Sequence, residues 1–358
     1  MTDTIIMQVQ RLRPSSSIIT NPSEQSYYWN KMLSMWNLPS HIKHFPGANP
    51  TSIERTDLSR LKTDDFIASL KSDGVRYMLL LTIKPNSIDD PIAIMIDRTK
   101  TMYEIEVWAN EDYFILGSLY DGELVWEQNS LSFVIFDVVV AKGEGCHNMT
   151  YRERLHILQN TILCVSKSHG GDSIEQMIGE ESKFLAQNNE YELLIVTKKC
   201  VSKENTHELW MKHENNTHRV DGLVFTLNKS PIEIGTSGSI LKWKPTHTID
   251  VHVTYTAERD SWKVFANSNV SQDIIEITDA IDEHRVKLVA NKLLQTLIGH
   301  QPCIVECALA LNDGWLTLQP ERERADKHAP NSMKTILATI RNVQENISIE
   351  DIIRAIAM

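Results

Sequence analysis

Hydrophobic positions along the chain change their period several times, and each change predicts a different element. Apolar residues recur at helical spacing over Tyr27–Trp36, which predicts a helix. Between residues 77 and 140 the apolar runs become short and are separated by Pro-Asn, Asp-Gly and Asn, which predicts β-strands. The predicted strands of this part are Tyr77–Ile83, Ile92–Ile96, Tyr103–Trp108, Glu123–Trp126 and Phe133–Val140. From Tyr151 to Val165 an apolar residue recurs every three or four positions, which predicts an amphipathic helix.

The rest of the chain continues this alternation of strands and helices. Its predicted strands are Tyr191–Val196, Gly222–Leu227, Ile240–Trp243, Ile249–Tyr255, Trp262–Ala266, Cys303–Ala308 and Trp315–Leu318. Helical spacing returns over three ranges, Val286–Leu297, Ile336–Val343 and Ser348–Met358. The last helix opens with Ser348 and Asp351 in the spacing of a capping box. A break near residue 245 separates a mixed α/β domain of about 240 residues from a β-rich domain of about 80 residues, both ordinary domain sizes.

Composition places the chain among ordinary globular proteins. Of 358 residues, 42% are apolar and 23% are charged, which excludes a mainly disordered or collagen-like chain. The 36 Lys and Arg against 47 Asp and Glu give a net charge of −11, which argues against non-specific coating of nucleic acid. No apolar run is long enough to span a membrane, and the chain opens without a signal-peptide pattern. Five Cys without a CxxC pair favour a reducing compartment, so the protein is expected to be intracellular and not secreted.

The segment Lys71–Arg76, KSDGVR, lies directly before a predicted strand. One interpretation is an exposed Asp-Gly turn with its Lys and Arg in solvent. The other is a lysine nucleophile, whose amine has an ordinary pKa of about 10.4 and needs a nearby cation, desolvation or a metal to lower it. Arg76 is such a cation, and Gly74 would let a phosphate approach the backbone. Taken alone, the box favours the turn.

Four further boxes on predicted strands change that balance. They are Asp121–Val125, Phe133–Asp137, Val220–Phe225 and Leu241–Pro245. Lys242 and Lys244 are two residues apart on a strand, so they point to the same face. Each box alone could be a turn or carry a surface lysine. Combined, they supply a lysine nucleophile, three acids, a flat aromatic ring and paired cations, which suit a protein that binds a purine nucleotide, holds a divalent metal and transfers a nucleotidyl group.

The order of these boxes resembles the covalent nucleotidyltransferase superfamily of mRNA capping guanylyltransferases and polynucleotide ligases. A sixth box, Arg322–Lys327 followed by Pro330-Asn331, is similar to the R-x-R-x-D-K-x-x-P-N signature of the capping guanylyltransferases, with Ala325 and Pro320 as small departures. Three further stretches agree with this branch, namely Phe45–Gly47, Ile96–Arg98 and Val305–Cys307. The resemblance extends from about residue 40 to residue 345 and suits a stand-alone form, as in large DNA viruses or lower eukaryotes.

The resemblance implies an α+β fold and a two-step reaction. Residues 1–245 would form a nucleotidyltransferase domain with antiparallel sheets, of the ATP-grasp-like type shared by ligases and capping enzymes. Residues 246–330 would form an OB-fold lid domain, and the helices of 331–358 would pack back on the first domain. Lys71 would attack the α-phosphate of GTP and release pyrophosphate. The diphosphate 5′ end of RNA would then take GMP from Lys71 and form the GpppN cap.

The resemblance also implies a role for each residue that binds the nucleotide. Glu123 would hold the ribose hydroxyls with help from Arg76, and the ring of Phe136 would stack on guanine. Lys198 would lie at the guanine and sugar edge, with Lys199 as its rival for that place. The GTP-binding residues implied are Ser72, Glu123, Phe136, Lys198, Lys242 and Lys244.

Metal and leaving-group roles follow in the same way. Asp221 would ligate Mg²⁺ or Mn²⁺, with Glu123 as a less certain second ligand. Lys242 and Lys244 would neutralise the α-phosphate, and the sixth box would bring charge to the leaving pyrophosphate. Asp73 is expected to shape its turn, and Trp243 is expected to be core. The catalytic residues implied are Lys71, Arg76, Lys242, Lys244, Arg322, Asp326 and Lys327.

Two other functions stay open at this stage. An ATP-dependent DNA or RNA ligase shares the lysine, the metal and the OB domain, although the sixth box disfavours it. A non-catalytic OB-fold protein that binds RNA or a partner would not need the full set of acids and lysines. For the capping reaction the partners are GTP and diphosphate-ended RNA, and the candidate protein partners are an RNA triphosphatase, a cap methyltransferase and RNA polymerase. The expected location is the nucleus or a cytoplasmic site of viral replication, with no membrane partner.

Overall fold

The structure is a computed structural model that describes residues 18–105, 107–127, 130–161, 163–164, 184–188, 191–216, 218–268, 273–278, 285–298, 303–324, 327 and 329–357. The chain forms two compact units. Of the described residues, the first contains those up to Thr51, those within Leu61–Trp243 and Ala357, and the second contains Ser52–Arg60 and those within Lys244–Ile356. The division after Trp243 lies beside the break predicted near residue 245.

The described residues of the first unit form fifteen strands. In chain order they are Ala48–Ser52 (β1), Phe66–Ser72 (β2), Val75–Ile83 (β3), Pro91–Asp97 (β4), Met102–Ile105 (β5), Trp108–Ala109 (β6), Ser118–Glu127 (β7), Ser130–Ala141 (β8), Glu144–Gly145 (β9), Leu163–Cys164 (β10), Phe184–Asn188 (β11), Tyr191–Thr197 (β12), Cys200–Ser202 (β13), Val220–Leu227 (β14) and Gly235–Trp243 (β15). Its helices are Pro22–Met35 (α1), Asp57–Thr63 (α2), which begins in the second unit, Asp112–Ile115 (α3), Tyr151–Gln159 (α4) and Thr206–Met211 (α5), with 3₁₀ turns at Lys203–Asn205 and His213–Asn215.

These strands form two main sheets. The larger sheet has the order β11-β12-β8-β7-β3-β4-β5, with β9 paired to β8, and only its β12–β8 pairing is parallel. The smaller sheet has the order β1-β15-β14-β2-β13, and β6 pairs separately with β10. β2 and β3 are consecutive in the chain but lie in different sheets, so the segment between them crosses from one sheet to the other.

Both faces of the larger sheet are buried, which explains the unbroken apolar run Tyr77–Leu81 in β3. Leu79 and Leu81 face a core that also contains Leu158 of α4. Met78 and Leu80, which alternate with them, face a second core that contains four aromatic or aliphatic residues of α1 and the Trp36 that follows it. The helix α1 begins with Asn21, whose side chain accepts a hydrogen bond from Ser23 N.

The described residues of the second unit form a six-stranded sheet with helices. Its elements are Thr248–Thr256 (β16), Ser261–Asn267 (β17), Ile274–Glu276 (β18), Arg285–Leu288 (β19), Lys292–Leu297 (α6), Cys303–Asn312 (β20), Trp315–Glu323 (β21), Met333–Glu345 (α7) and Ile349–Ala357 (α8), with a 3₁₀ turn at Ala257–Arg259. The strand order is β18-β17-β16-β20-β21-β19, and only β19–β21 is parallel. Its core includes Val251, Val305 and Leu316, each fully buried.

Two sequence expectations are wrong in this part of the chain. Ser52–Arg60 belongs to the second unit, where Arg55 N donates to Glu345 Oε2 at 2.8 Å. The expected packing of the closing helices on the first domain stays a prediction; within the second unit, α7 buries Ile336 and Ile340 in the core. The helix expected over Val286–Leu297 begins only at Lys292, since β19 precedes it and pairs with the distant β21.

Most other predicted elements are confirmed with small shifts of their ends. The helix predicted from Tyr151 ends at Gln159, and Ile162 and Val165 lie outside the described residues. The capping box of α8 is confirmed, because Ser348 N donates to Asp351 Oδ2 and Asp351 N donates to Ser348 Oγ, both at 3.2 Å. None of the helices among the described residues is long and apolar enough to cross a membrane.

Candidate active site

Lys71 is the next-to-last residue of β2, where the chain leaves the smaller sheet for the larger one. Asp73 and Gly74 make the crossing. A Cβ on Gly74 would lie 2.5 Å from the carbonyl oxygen of Leu124 in β7, so the close approach of the two segments requires glycine. The Lys71 side chain is only 20% exposed. The interpretation of this box as an exposed turn with its lysine in solvent is therefore wrong.

Asp221 contacts Lys71 from a β-bulge. In the pairing of β14 with β2, Val220 lies opposite Ser72 and Gly222 lies opposite Lys71, so Asp221 is one residue in excess. Lys71 Nζ donates to Asp221 Oδ1 at 2.8 Å and to Oδ2 at 3.1 Å. The structure thus brings together the expected nucleophile and the expected metal ligand as a half-buried ion pair.

The two residues after Lys71 are held by the segment that precedes β14. The buried Ser72 Oγ lies 2.9 Å from His218 Nε2. Asp73 N donates to Arg219 O at 3.0 Å, and Asp73 Oδ2 lies 3.3 Å from Arg219 Nε. These contacts agree with Asp73 as a turn residue. The assignment of Ser72 to GTP binding stays a prediction, and its hydroxyl is already bonded to a protein group.

Arg76 is fixed by protein groups on several sides. Its Nε donates to Asp121 Oδ1 at 2.8 Å, one terminal nitrogen donates to Asp121 Oδ2 at 2.5 Å, and the other donates to Ala48 O at 2.5 Å. Although burial opposes the charge, the Asp121 carboxylate raises the pKa of Arg76. Its guanidinium carbon lies 5.5 Å from the ring centre of Phe45 and 5.4 Å from that of Phe136. Arg76 is therefore part of the wall that supports Phe136, and its expected help at the ribose stays a prediction.

Phe136, Lys198 and Glu123 lie together in the first unit. Lys198 Nζ is 5.6 Å from the centre of the Phe136 ring and 3.9 Å from Glu123 Oε2. Burial lowers the pKa of Lys198, while the charge of Glu123 opposes this effect and that of Lys71 adds to it. Lys199 is exposed, so the structure favours Lys198 over its rival. Three of the expected nucleotide-binding residues are thus neighbours, within electrostatic range of the nucleophile.

Phe136, like Asp221, is the extra residue of a bulge. In the pairing of β7 with β8, Asp121 lies opposite Asp137 and Gly122 lies opposite Ile135. Phe136 has no partner in this ladder, and bulges of this kind re-aim the side chain they carry. The two bulges therefore sit at two of the residues to which the sequence assigned chemistry.

The register of the smaller sheet places Lys242 on the same face as Lys71. Lys242 pairs with Val224, and Val224 pairs with Ser69, which is two residues before Lys71 in β2. The alternate position, Trp243, is buried and meets the ring of Trp210 edge-on at 5.1 Å, which confirms its expected place in the core. Lys244 lies just beyond the end of β15, so the expectation that it shares the face of Lys242 stays a prediction.

The charged residues of the sixth box form ion pairs inside the second unit. Arg322 Nε donates to Glu306 Oε2 at 2.5 Å, Arg324 lies 3.0 Å from Asp250 Oδ1, and Lys327 Nζ is bonded to Asp250 Oδ2. Although burial raises the pKa of Glu306, the hydrogen bond and charge of Arg322 hold it below its ordinary value. Asp326 lies outside the described residues. These pairs fix the arginines and the lysine close to one another.

The donor groups fit a divalent cation that is shared with a nucleotide. Among the described residues, no group of three or more His, Cys, Asp or Glu could hold a metal ion by itself. Asp221 and Glu123 each face a lysine amine, at 2.8 Å and 3.9 Å. Mg²⁺ in nucleotide sites commonly takes one or two carboxylates and completes its shell with water and phosphate oxygens. The protein residues alone therefore suit such an ion only with phosphate present.

Sequence reasoning missed several residues around this site. The box motif assigns no role to Asp121, although its position two residues before Glu123 in β7 places both side chains on the same strand face. Arg154 was overlooked, although a charged residue three positions after Tyr151 on an apolar helix face is itself a signal. No pattern in the sequence points to His218. The need for glycine at position 47 is seen only in the structure, because a Cβ added there would lie 2.7 Å from Arg76 Cζ.

Two family models match the sequence between residues 16 and 353. The model described as mRNA capping enzyme, catalytic domain, matches residues 16–246, and the model described as mRNA capping enzyme, C-terminal domain, matches residues 181–353. The chain belongs to the mRNA capping enzyme family. This membership confirms the family that the six boxes indicated, and with it the α+β nucleotidyltransferase fold followed by an OB-type domain.

Curated members of the mRNA capping enzyme family are similar over most of this chain. It is 25% identical over 338 residues to the mRNA-capping enzyme subunit alpha of Schizosaccharomyces pombe, across 87% of this chain and 79% of that protein. It is 25% identical over 320 residues to the mRNA-capping enzyme of Danio rerio, across 86% of this chain and 48% of that protein. The chain therefore spans about half the length of this animal capping enzyme. A solved structure titled "mycobacterial DNA ligase D complexed with ATP and MES" matches with a TM-score of 0.43 and 13% identity over 79% of this chain and 95% of that chain.

Proposed function

We propose that this capping enzyme family chain is an mRNA guanylyltransferase that works through a covalent Lys71–GMP intermediate. The observation that carries the proposal is the grouping of Lys71 with Asp221, Glu123, Lys198 and Phe136 within one unit. This set combines a nucleophile, two carboxylates, a second amine and a flat ring. It matches the boxes that distinguish the covalent nucleotidyltransferases, and the family models assign the chain to the capping branch.

In the first proposed step, Lys71 Nζ attacks the α-phosphorus of GTP. A nitrogen–phosphorus bond forms, the bond from the α-phosphorus to the bridging oxygen breaks, and pyrophosphate leaves with the electron pair. Lys71 Nζ, which donates to both oxygens of Asp221, must give up one proton to expose its lone pair and a second as the nitrogen–phosphorus bond forms, both passing to water or to the Asp221 carboxylate. Lys242, on the same face, would stabilise charge on the α-phosphate.

In the second proposed step, an oxygen of the RNA 5′-diphosphate attacks the phosphorus of Lys71–GMP. The nitrogen–phosphorus bond breaks, Nζ takes up a proton from water and leaves as the Lys71 amine, and the product is the GpppN cap. Asp221, with Glu123 as the second candidate, would hold Mg²⁺ or Mn²⁺, and such an ion supplies positive charge to the phosphates. Phe136 would stack on the guanine, and the half-buried Glu123 would bind the ribose.

The direct test of this proposal is labelling of the pure protein with α-labelled nucleotide. We expect GTP with Mg²⁺ or Mn²⁺ to label the protein covalently, and we expect ATP to leave it unlabelled. The label should then move to RNA that ends in a 5′-diphosphate and should stay on the protein when the RNA ends in a monophosphate. Labelling by ATP in place of GTP would favour a ligase, and absence of any covalent label would revive a non-catalytic binding protein.

Phe136→Ala is expected to weaken GTP binding by roughly 1–3 kcal/mol, the range found for stacking of a base on an aromatic side chain. Phe136→Tyr should be nearly neutral, since the tyrosine ring offers the same π face. The measurement is the GTP concentration that half-saturates adduct formation in a single turnover. Equal losses for alanine and tyrosine would show that residue 136 contributes packing, and Phe133, which is fully buried, would be examined next.

A further inference from the structure

The bulge that carries Phe136 is held by two residues outside the six boxes, Tyr151 and Arg154 of α4. The bulged residue stands outside the β7–β8 ladder, and its backbone carbonyl accepts a hydrogen bond from Tyr151 Oη at 3.0 Å. A buried carbonyl without a partner costs free energy, so this hydroxyl stabilises the bulge itself. Tyr151 is 4% exposed, which keeps water from replacing it.

The residue that follows Phe136 is fixed by the same helix. Arg154 Nε donates to Asp137 Oδ1 at 2.7 Å, and a terminal nitrogen donates to Asp137 Oδ2 at 3.1 Å. The other terminal nitrogen donates to Met149 O at 2.5 Å and to Ser230 O at 3.2 Å. This two-pronged pair leaves the backbone around Phe136 little freedom, because a planar guanidinium on a carboxylate fixes orientation as well as distance.

Tyr151 also connects Phe136 to the strand that follows Lys198. Its Oη lies 3.6 Å from Cys200 Sγ, and Cys200 is two residues after Lys198. Tyr151 N in turn donates to Asn228 O at 2.7 Å. One hydroxyl group therefore touches both segments that present the ring and the amine.

The start of α4 is itself well defined. Thr150 and Glu153 form a capping box, in which Thr150 N donates to Glu153 Oε2 at 2.8 Å and Glu153 N donates to Thr150 Oγ1 at 3.3 Å. Tyr151 is the first residue of the helix, directly after this cap. The position of its hydroxyl is therefore set by the helix end and not by a flexible loop.

We infer that Tyr151 and Arg154 are positioning residues for the guanine base. They hold the bulge that aims the Phe136 ring, and Tyr151 also sets the spacing between that ring and Lys198. The inference rests on the proposed function, in which Phe136 stacks on guanine. Neither residue touches the nucleotide, so their effect should be felt in GTP binding and not in the chemical step.

The test uses Tyr151→Phe in the full chain, because this change removes one hydroxyl and keeps the ring in the core. We expect the GTP concentration that half-saturates adduct formation to rise about 3- to 10-fold, as the loss of one hydrogen bond would give. The maximal single-turnover rate should stay within about twofold, because Lys71 and Asp221 are unchanged. The matched control is Tyr120→Phe, which removes a hydroxyl from another fully buried tyrosine of the first unit and should leave half-saturation unchanged.

A double-mutant cycle decides whether Tyr151 acts through Phe136. If it does, Tyr151→Phe should add no further rise in half-saturation to a chain that already carries Phe136→Ala. Additive effects, an unchanged half-saturation in Tyr151→Phe, or an equal rise in the Tyr120 control would each overturn the inference. Failure of the stacking proposal would look different, because Phe136→Ala alone would then leave GTP binding unchanged.

Discussion

Lys71→Ala is expected to abolish the covalent protein–GMP adduct. Alanine has no amine to attack the α-phosphorus, and the ion pair with Asp221 is lost at the same time. Lys71→Arg should fail as completely, because a guanidinium can still bond to Asp221 but stays protonated and is not a nucleophile. The measurement is labelling with α-labelled GTP followed by denaturing electrophoresis, with the labelled peptide identified by mass spectrometry.

The adduct itself gives a second check on the same prediction. A phosphoramidate should be labile in acid and stable in alkali, whereas a phosphate ester on serine would survive acid. Lys199→Ala is the matched control, since it removes an exposed lysine near Lys198 and should label like the unchanged protein. Full labelling of Lys71→Ala would mean that the nucleophile has been assigned to the wrong residue.

The second large effect is expected for Lys327→Ala. We expect formation of the adduct from GTP to slow by about 100-fold or more, the order found when one charge contact to a transition state is removed. The reason is that the sixth box is assigned to the pyrophosphate, where negative charge develops as the bond breaks. Lys327 Nζ is bonded to Asp250 here, so its action on phosphate would require that bond to be exchanged. Transfer of GMP from preformed adduct to diphosphate-ended RNA should be affected less, because no pyrophosphate leaves in that step.

Single-turnover kinetics of each step on the same variant would test this separation, with adduct isolated after prolonged labelling. Lys263→Ala provides a matched control in the same unit. Lys263 is 36% exposed against 33% for Lys327 and also pairs with one carboxylate, Glu276 at 2.8 Å. Its loss should leave both steps unchanged. Equal slowing of both steps in Lys327→Ala would remove the leaving-group role and assign this lysine to the fold or to RNA.

The sequence predicted strands and helices well where one simple period continues. β3 was recognisable because its buried residues run without a polar break, and the structure shows both of its faces covered. α7 was recognisable by its helical spacing, but its packing partner was not, because the same apolar face could be buried by either unit. Val286 was assigned to a helix because its spacing to the next apolar residues allowed it. Its pairing with the distant Leu316 in β21 cannot be read from neighbouring residues.

The candidate site was predictable in its residue types and less so in its contacts. Lys71, Asp221 and Glu123 were found because their boxes have a recognisable order along the chain. Their mutual arrangement depends on two bulges. In the sequence, a bulge shows only as one extra residue that interrupts the alternation of inward and outward side chains. The ion pair between Arg76 and Asp121 could not be predicted either, because two opposite charges 45 positions apart leave no local pattern in the sequence.

The bulge at Phe136 also bears on how such a protein could change over generations. If the codon for Phe136 were deleted, the neighbouring pairs of β7 and β8 would keep their partners. Gly122 would still lie opposite Ile135, and Asp121 would still lie opposite Asp137. The ladder would become more regular, and the buried core of the sheet would keep its residues. The loss would fall on the surface that receives the base and on the hydroxyl of Tyr151, which would have no acceptor. In a lineage without selection for catalysis, one deletion would therefore remove the aromatic surface for the base and leave a folded protein that lacks the activity.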